Sequence, residues 1–305
     1  MESTNNCHMP TRKPSRVVLA FVFGLAASIS ATAGGGDNLE KQVNRAYRGK
    51  ILTLRQFCAG DRLHFGPDGR LIGIARTTAW TTDGQLEVEG LKLKGDILEL
   101  KGRRLRLVFD PSSKQLKDVL TILPDDVVAK RFHNPRNKKA WELFLKSARV
   151  EVSIDLVSTP HQESDLAAAL DTVFLSSNDA VVDLVPAFWK PFLSRKNLKP
   201  SAPEPPKRGS ENKAGGKATT PHALSQPDPE YSELARQAGY SGTVMLRLVV
   251  TPEGHVRDLS IETPLGLGLD EKAVAAVSGW VFEPARKDGV PVAAQIWVEV
   301  DFHLY

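Results

Sequence analysis

Asp61 and His64 stand three residues apart in a loop-to-strand stretch, a spacing that could hold a carboxylate beside an imidazole for proton transfer. Such pairs are common and by themselves specify no reaction. The seven histidines are His8, His64, His133, His161, His222, His255 and His303, and no two are spaced i, i+4. No H-E-x-x-H occurs, so zinc-assisted hydrolysis has no ligand set. Gly239-Tyr240-Ser241-Gly242-Thr243 falls one residue short of G-x-S-x-G. It also runs from a helix end into a strand start, the reverse of a nucleophile elbow. Gly266-Leu267-Gly268 lacks the third glycine and the βαβ setting of a dinucleotide loop. Asp125-Asp126 reads as the opening of a helix rather than a metal site. Cys7 precedes the apolar leader and Cys58 stands alone after it, which excludes a disulfide within the exported chain. Beside Phe57, Cys58 reads as a small buried hydrophobe. No catalytic, cofactor-binding or metal site is expected, and the chain reads as a non-enzyme.

The elements that would position a binding surface are clearest after Pro229. Tyr231, Leu234, Ala235 and Ala238 fall at helical spacing over Ser232–Ala238, and Gly239 stops that helix. Thr243–Val250 is β-branched and apolar, Thr251-Pro252-Glu253-Gly254 is turn chemistry, and His255–Glu262 returns as a second strand. Asp270 can cap a second helix that aligns Leu269, Ala273, Ala276, Val277 and Trp280 on one face. Pro284 ends that segment and Asp288-Gly289 turns the chain. A last strand alternates Val292, Ala294, Ile296, Val298, Val300, Phe302 and Leu304 with Ala293, Gln295, Trp297, Glu299, Asp301 and His303. The fold class is α+β: a helix-strand-strand-helix-strand module with a three-stranded antiparallel sheet covered by two helices.

This series resembles the C-terminal domain of the TonB energy-transducer family. Tyr231, Ala235-Arg236, Gly239, Gly242-Thr243-Val244, Gly254, Val256, Gly268-Leu269-Asp270, Ala273, Ala276, Trp280, Phe282, Pro284-Ala285 and Asp288-Gly289 stand at family spacing. Ser232 departs from it, because the family usually has proline after the tyrosine. The resemblance covers residues 229–305, about a quarter of the chain.

Upstream, the chain of 305 residues has room for two ordinary domains, and 41% hydrophobic with 25% charged residues is a globular composition. A net charge of +4 is small for this length and argues against a nucleic-acid partner. Residues 1–36 read as a signal peptide or an N-terminal membrane anchor. Arg12, Lys13 and Arg16 precede the apolar run Val17–Ile29 and the A-x-A site Ala31-Thr32-Ala33. Either way the remainder is exported. Residues 37–195 form a β-rich α+β domain of unassigned fold. Its expected strands are Lys50–Leu54, Arg62–Phe65, Leu71–Ile74, Gln85–Lys94, Ile97–Lys101, Arg104–Phe109 and Arg149–Val157, with turns at Gly95-Asp96 and Gly102-Arg103 and a bulge at Gly90. Arg104 and Arg106 are expected to face water. Lys138–Lys146 and Gln162–Phe174 read as helices, and Phe188, Trp189 and Phe192 as a cluster packing back on this domain. Residues 196–227, rich in proline, glycine and lysine, read as a linker unable to support a core.

The resemblance implies an adaptor that binds an extended N-terminal segment of an outer-membrane TonB-dependent receptor. The expected mechanism is β-augmentation on the last strand. Ala293, Gln295, Trp297, Glu299, Asp301 and His303 are the expected protein-binding edge residues. Trp297 has an alternative role, lying flat on its own sheet or in a homodimer contact. If the leader is kept, ExbB/ExbD-type inner-membrane proteins are expected partners; if it is cleaved, the protein is free in the periplasm. The other reading, of a different class, is a periplasmic structural or sensory protein that uses the module as a generic interaction domain.

Overall fold

The computed structural model describes residues 35–122, 135–157, 161–176, 180–195 and 219–304. The expected leader up to residue 34, Asp125-Asp126, His133 and residues 196–218 lie outside them. No helix among the described residues is long and apolar enough to cross a membrane.

Helix α1 (Gly35–Tyr47) leads to strands β1 (Ile51–Thr53) and β2 (Arg62–Phe65), the short turn α2 (Trp80–Asp83), and strands β3 (Gln85–Lys94) and β4 (Ile97–Leu105). A small hairpin, β5 (Leu107–Asp110) with β6 (Gln115–Asp118), precedes α3 (Val119–Ile122) and α4 (Pro135–Ser147). Then come β7 (Arg149–Asp155), α5 (Glu163–Val173), the 3-10 turns Val181–Asp183 and Ala187–Trp189, and α6 (Lys190–Ser194). Five strands form one sheet in the order β1-β3-β4-β7-β2, antiparallel except for β2 beside β7.

The expected bulge is present: the β3–β4 register shifts between Val88 and Gly90. It resets the alternation so that Leu86, Val88 and Leu91 all reach the core. Helix α1 secures the reset strand, with Asn44 Oδ1 accepting from Leu91 N (3.2 Å) and Glu40 Oε2 from Leu93 N (3.0 Å). Leu98, Leu100, Val150, Val152, Ile154, Leu166, Leu170 and Cys58 complete this first core.

Three upstream expectations are corrected. Gly102-Arg103 is no turn: β4 runs through both, and a Cβ on Gly102 would lie 2.7 Å from the Glu87 carbonyl oxygen. That glycine serves close strand approach rather than chain reversal. Leu71–Ile74 is no strand; Leu71 makes a lone bridge to Phe65, and Ile74 is fully exposed. Arg104 and Arg106 do not face water, being 1% and 3% exposed. Arg104 donates to the carbonyls of Cys58 (3.0 Å), Gly60 (2.9 Å) and Asp83 (3.0 Å). Arg106 donates to the carbonyls of Thr82 and Ser147 and to Asp83 Oδ1 (3.1 Å). Burial pulls both guanidinium pKa values down, and Asp83 opposes that shift. The two planar forks meet carbonyls from three separate segments, 58–60, 82–83 and Ser147, so most of their buried donors are satisfied by backbone that water would otherwise solvate, while Arg106 Nε has no partner among the described residues.

The last segment begins with β8 (His222–Ser225) and continues through α7 (Glu233–Ala238), β9 (Gly242–Val250), β10 (Val256–Thr263) and α8 (Leu269–Ser278). It ends with β11 (Val281–Glu283), β12 (Ala285–Lys287), β13 (Val290–Val292) and β14 (Ala294–Phe302). The sheet is three-stranded and antiparallel in the order β10-β9-β14, as expected for the α+β module. Gly239 ends α7 in the left-handed region at φ 59°, where a side chain would be strained. Ser232 adds a tie that proline cannot make: its hydroxyl donates to the Leu267 carbonyl at 2.6 Å.

Two details differ from the sequence reading. Residues 222–225, placed in the linker, form β8 and pair with β11. The last strand is not continuous: Val290–Val292 folds back on β12, and β14 starts only at Ala294. The alternation has the same parity on both sides of this break, so sequence pattern could not reveal it.

The second hydrophobic core does not respect the proline-rich stretch. From the module it takes Val244, Leu246, Leu248, Val250, Leu267, Leu269, Ala273, Val277 and Phe302. From upstream it takes Trp80, Leu107, Val108, Val119, Trp141, Phe144 and Trp189. The expected aromatic cluster at 188–192 packs here rather than on the first core. Trp189 meets Trp80 edge to face at 5.4 Å, and Phe192 meets Phe109 at 6.1 Å.

Candidate protein-docking edge

The three-stranded sheet has two edges, and they are treated differently. Strand β9 is central; Val244, Leu246, Leu248 and Val250 are buried, while Thr243, Met245, Arg247 and Val249 point to the opposite face. Strand β14 lies at one edge, aligned from Ala294 opposite Val250 to Phe302 opposite Gly242, and among the described residues β9 is its sole strand neighbour. Its far side therefore presents backbone N–H and C=O groups without a ladder partner, the feature that strand addition needs.

Along β14 the two faces separate cleanly. Val300 and Phe302 are buried with the helices, and Phe302 meets the Tyr231 ring edge to face at 5.6 Å. Gln295, Glu299, Asp301 and His303 are exposed, and Trp297 is half-buried. Strand β14 thus carries four of the six expected residues, Gln295, Trp297, Glu299 and Asp301, on one face, and His303 follows directly after it. The sixth, Ala293, is exposed but sits at the break before β14. Trp297 stands opposite Arg247, whose guanidinium donates to Gln295 Oε1 (3.3 Å) and Glu262 Oε1 (2.7 Å). Thr243 donates to Asp301 Oδ1 at 2.5 Å. These polar pairs hold the outer face in register without closing the edge.

The other edge, β10, is occupied. At its start His255 bridges Val281, and Phe282 N donates to the Gly254 carbonyl at 2.9 Å. The Ala187–Trp189 turn and α6 lie against the strand. Arg195 then makes a two-pronged ion pair with Glu262 on β10. Burial raises the Glu262 carboxyl, but hydrogen bonds from Arg195 and Arg247 outweigh it and hold the group below the ordinary glutamate value.

The loop between β10 and α8 is tied to upstream backbone. Leu267 N donates to the Leu107 carbonyl (2.9 Å) and Phe109 N to the Leu265 carbonyl (3.1 Å), and Gly268 N donates to Thr81 Oγ1 (3.1 Å). Gly266 has φ 100°, and a Cβ there would lie 2.3 Å from the Leu107 oxygen. The pair Gly266 and Gly268 thus serves close docking on the upstream chain. Asp270, fully buried, does not cap its own helix as expected but accepts from Leu265 N and Gly266 N, both at 2.8 Å. Burial pushes its carboxyl up, as it does for Glu271, which accepts from Trp189 Nε1 at 2.8 Å.

The proton-transfer pair considered from sequence does not form. His64 meets Asp155 Oδ1 at 2.8 Å, while Asp61 contributes a backbone carbonyl to Glu151 N. Among the described residues no group of histidine, cysteine, aspartate and glutamate is arranged to hold a metal ion. What sequence reasoning missed was the second edge. Its signal was present in Phe188-Trp189-Lys190-Pro191-Phe192, an aromatic run placed just before the proline-rich stretch.

Residues 227–304 match the family described as Gram-negative bacterial TonB protein C-terminal. Over 82 residues the chain is 37% identical to Protein tonB2 of Pseudomonas aeruginosa, covering 27% of this chain and 30% of that protein. Over 81 residues it is 35% identical to Protein TonB of Vibrio cholerae serotype O1, covering 26% and 33%. The chain spans about a third of the length of these curated relatives. A solution NMR structure of the Pseudomonas aeruginosa TonB CTD is similar at 23% identity, covering 28% of this chain and 88% of that one with a TM-score of 0.24.

Proposed function

We propose, from the TonB C-terminal match over residues 227–304, that this protein is a non-enzymatic, TonB-like adaptor and energy transducer of the cell envelope. In this reading the module docks the extended N-terminal segment of an outer-membrane receptor by strand addition and so supports transport across that membrane. The observation that carries it is the edge of β14, which no described element lies along, whereas residues 187–195 lie against the opposite edge strand β10. Backbone groups of β14 supply most of the affinity, and Gln295, Trp297, Glu299, Asp301 and His303 tune it from the outer face. The protein acts from the periplasm, held in the inner membrane beside ExbB/ExbD-type partners if its leader is kept.

Hydrogen exchange on the full chain, with and without a synthetic receptor N-terminal peptide, tests this. Added peptide is expected to slow exchange within Ala294–Phe302. Unchanged protection there removes the receptor-docking role.

A second reading has its own support. The module shares a core with upstream residues and does not hang from a free spacer, which suits a structural or sensory protein using the fold as an interaction domain. The same peptide measurement separates the two.

A further inference from the structure

We infer that the upstream chain is the resident occupant of the module's second edge: Ala187–Arg195 lies on β10 and Leu107–Phe109 pairs with the loop that follows it, an intramolecular seat that covers β10 and leaves one docking edge per chain. The inference concerns β10 and needs no receptor, so it stands apart from the function proposed for β14.

Four kinds of contact converge on this seat. Backbone pairs with backbone where Leu107 and Phe109 meet Leu265 and Leu267. Apolar surface is removed from water by Trp189, 0% exposed and packed edge to face on Trp80, with Phe192 beside it. A neutral donor meets an acid where the Trp189 indole binds Glu271. A planar cation meets an acid in the Arg195–Glu262 fork, with Arg247 on the same carboxylate. Fully buried aromatic rings and shared main-chain bonds resemble the inside of a domain, not a transient contact between domains. The ends of the intervening chain agree: Arg195 is fixed to β10, and Thr219 N donates to the Arg286 carbonyl at 2.9 Å. The two described residues that flank 196–218 are thus both held on the module.

An edge covered by its own chain cannot accept a second strand, and the exposed strand-to-strand route to self-association is removed on that side. The head then presents a single strand-accepting position.

The test is to cut the tether. A specific protease site is placed between residues 196 and 218 of the full chain, and the folded protein is cleaved to completion. The two pieces are then run on size exclusion with light scattering at micromolar concentration. They are expected to travel together as a one-to-one complex. Pieces that separate on cutting overturn the inference. In Gly266→Val, whose branched side chain collides with the Leu107 carbonyl, the pieces are expected to part; if they hold as tightly as wild type, the seat is not where the structure puts it. Should that variant fail to fold, Arg195→Ala replaces it. Loss of the charge-assisted fork is expected to weaken fragment association about tenfold or more. An unchanged fragment affinity in Arg195→Ala also overturns the inference. No peptide enters the experiment, so its failure leaves the β14 reading intact.

Discussion

Strands β10 and β14 flank the same central strand, yet they meet opposite surroundings. Along β10 lie a 3-10 turn, α6 and the Arg195–Glu262 pair, with the His255–Val281 bridge just before its start; along the far side of β14 no described strand lies. The strands themselves account for only part of this. Both are short and antiparallel to β9, and β14 has the longer unbroken ladder. The β10 ladder carries two register shifts, a device that by itself discourages a new neighbour. Strand β14 has a regular register and defends itself only with exposed Glu299 and Asp301 and the break at Ala293. The irregular ladder of β10 and the residues 187–195 that lie on it act together, and the second of these comes from chain far away in sequence.

The largest way to disturb this contrast is Trp189→Ala. Removing a fully buried indole should cost about 3–5 kcal/mol in denaturant titration of the full chain. It should also give β10 amides faster exchange, so that the two edges become alike; a loss under about 1 kcal/mol would show that β10 needs no cover.

Prolines on β14 act in the other direction. In Gln295→Pro and Ile296→Pro one substitution removes an N–H directed at β9 and the other an N–H directed outward. The outward one is expected to weaken peptide binding about tenfold, the worth of roughly one well-made hydrogen bond, with the thermal melt nearly unchanged. Two variants with equal effects on melt and binding would mean that β14 is not an edge in solution.

A third effect is in pH and is on the order of 1 kcal/mol. Glu271 is pushed up by burial first and by the charge of Asp270 second, and its Oε2 has no hydrogen-bond partner among the described residues. A carboxyl raised in the folded state stabilises fully below its unfolded pKa, about 4.3, and loses that contribution as pH rises toward the folded value. Glu262 has the opposite sign: held low by Arg195 and Arg247, it stabilises above about 4.3 and loses that contribution as pH falls through its folded value. Stability measured from pH 4 upward should therefore decline less in Glu271→Gln than in wild type, whereas Glu262→Gln should flatten only the acid limb. An identical profile in Glu271→Gln would remove that residue from the seat.

The smallest effect belongs to the outer face. Thr243→Val breaks the exposed bond to Asp301 and should change stability by less than about 0.5 kcal/mol. A larger loss would make this face part of the fold rather than a surface left for tuning.

Sequence made the module legible because its signals were local. Period-two alternation, Gly239 at a helix end and Thr251-Pro252-Glu253-Gly254 at a reversal each act within a few residues. The candidate edge was legible for the same reason: alternation from Ala294 to Phe302 names the two faces. What stayed hidden is long-range. Alternation put Arg104 and Arg106 on a polar face, and it cannot say that the polar face meets carbonyls of Cys58, Thr82 and Ser147 instead of water. Composition put His222–Ser225 in a linker, because β8 draws its stability from β11 rather than from its own residues. The seat was invisible because it joins residues 187–195 to 262–271 across a stretch whose prolines read as a boundary.

Arg195 and Thr219 both rest on the module, so the covalent link between them works as a leash. A short leash holds two bodies at an effective concentration in the millimolar range. Against it, a seat with micromolar intrinsic affinity would be vacant only about one part in a thousand of the time. The intact chain is then indifferent to its own dilution. Once the leash is cut, the same contact answers to bulk concentration, and a property of one molecule becomes a property of the solution.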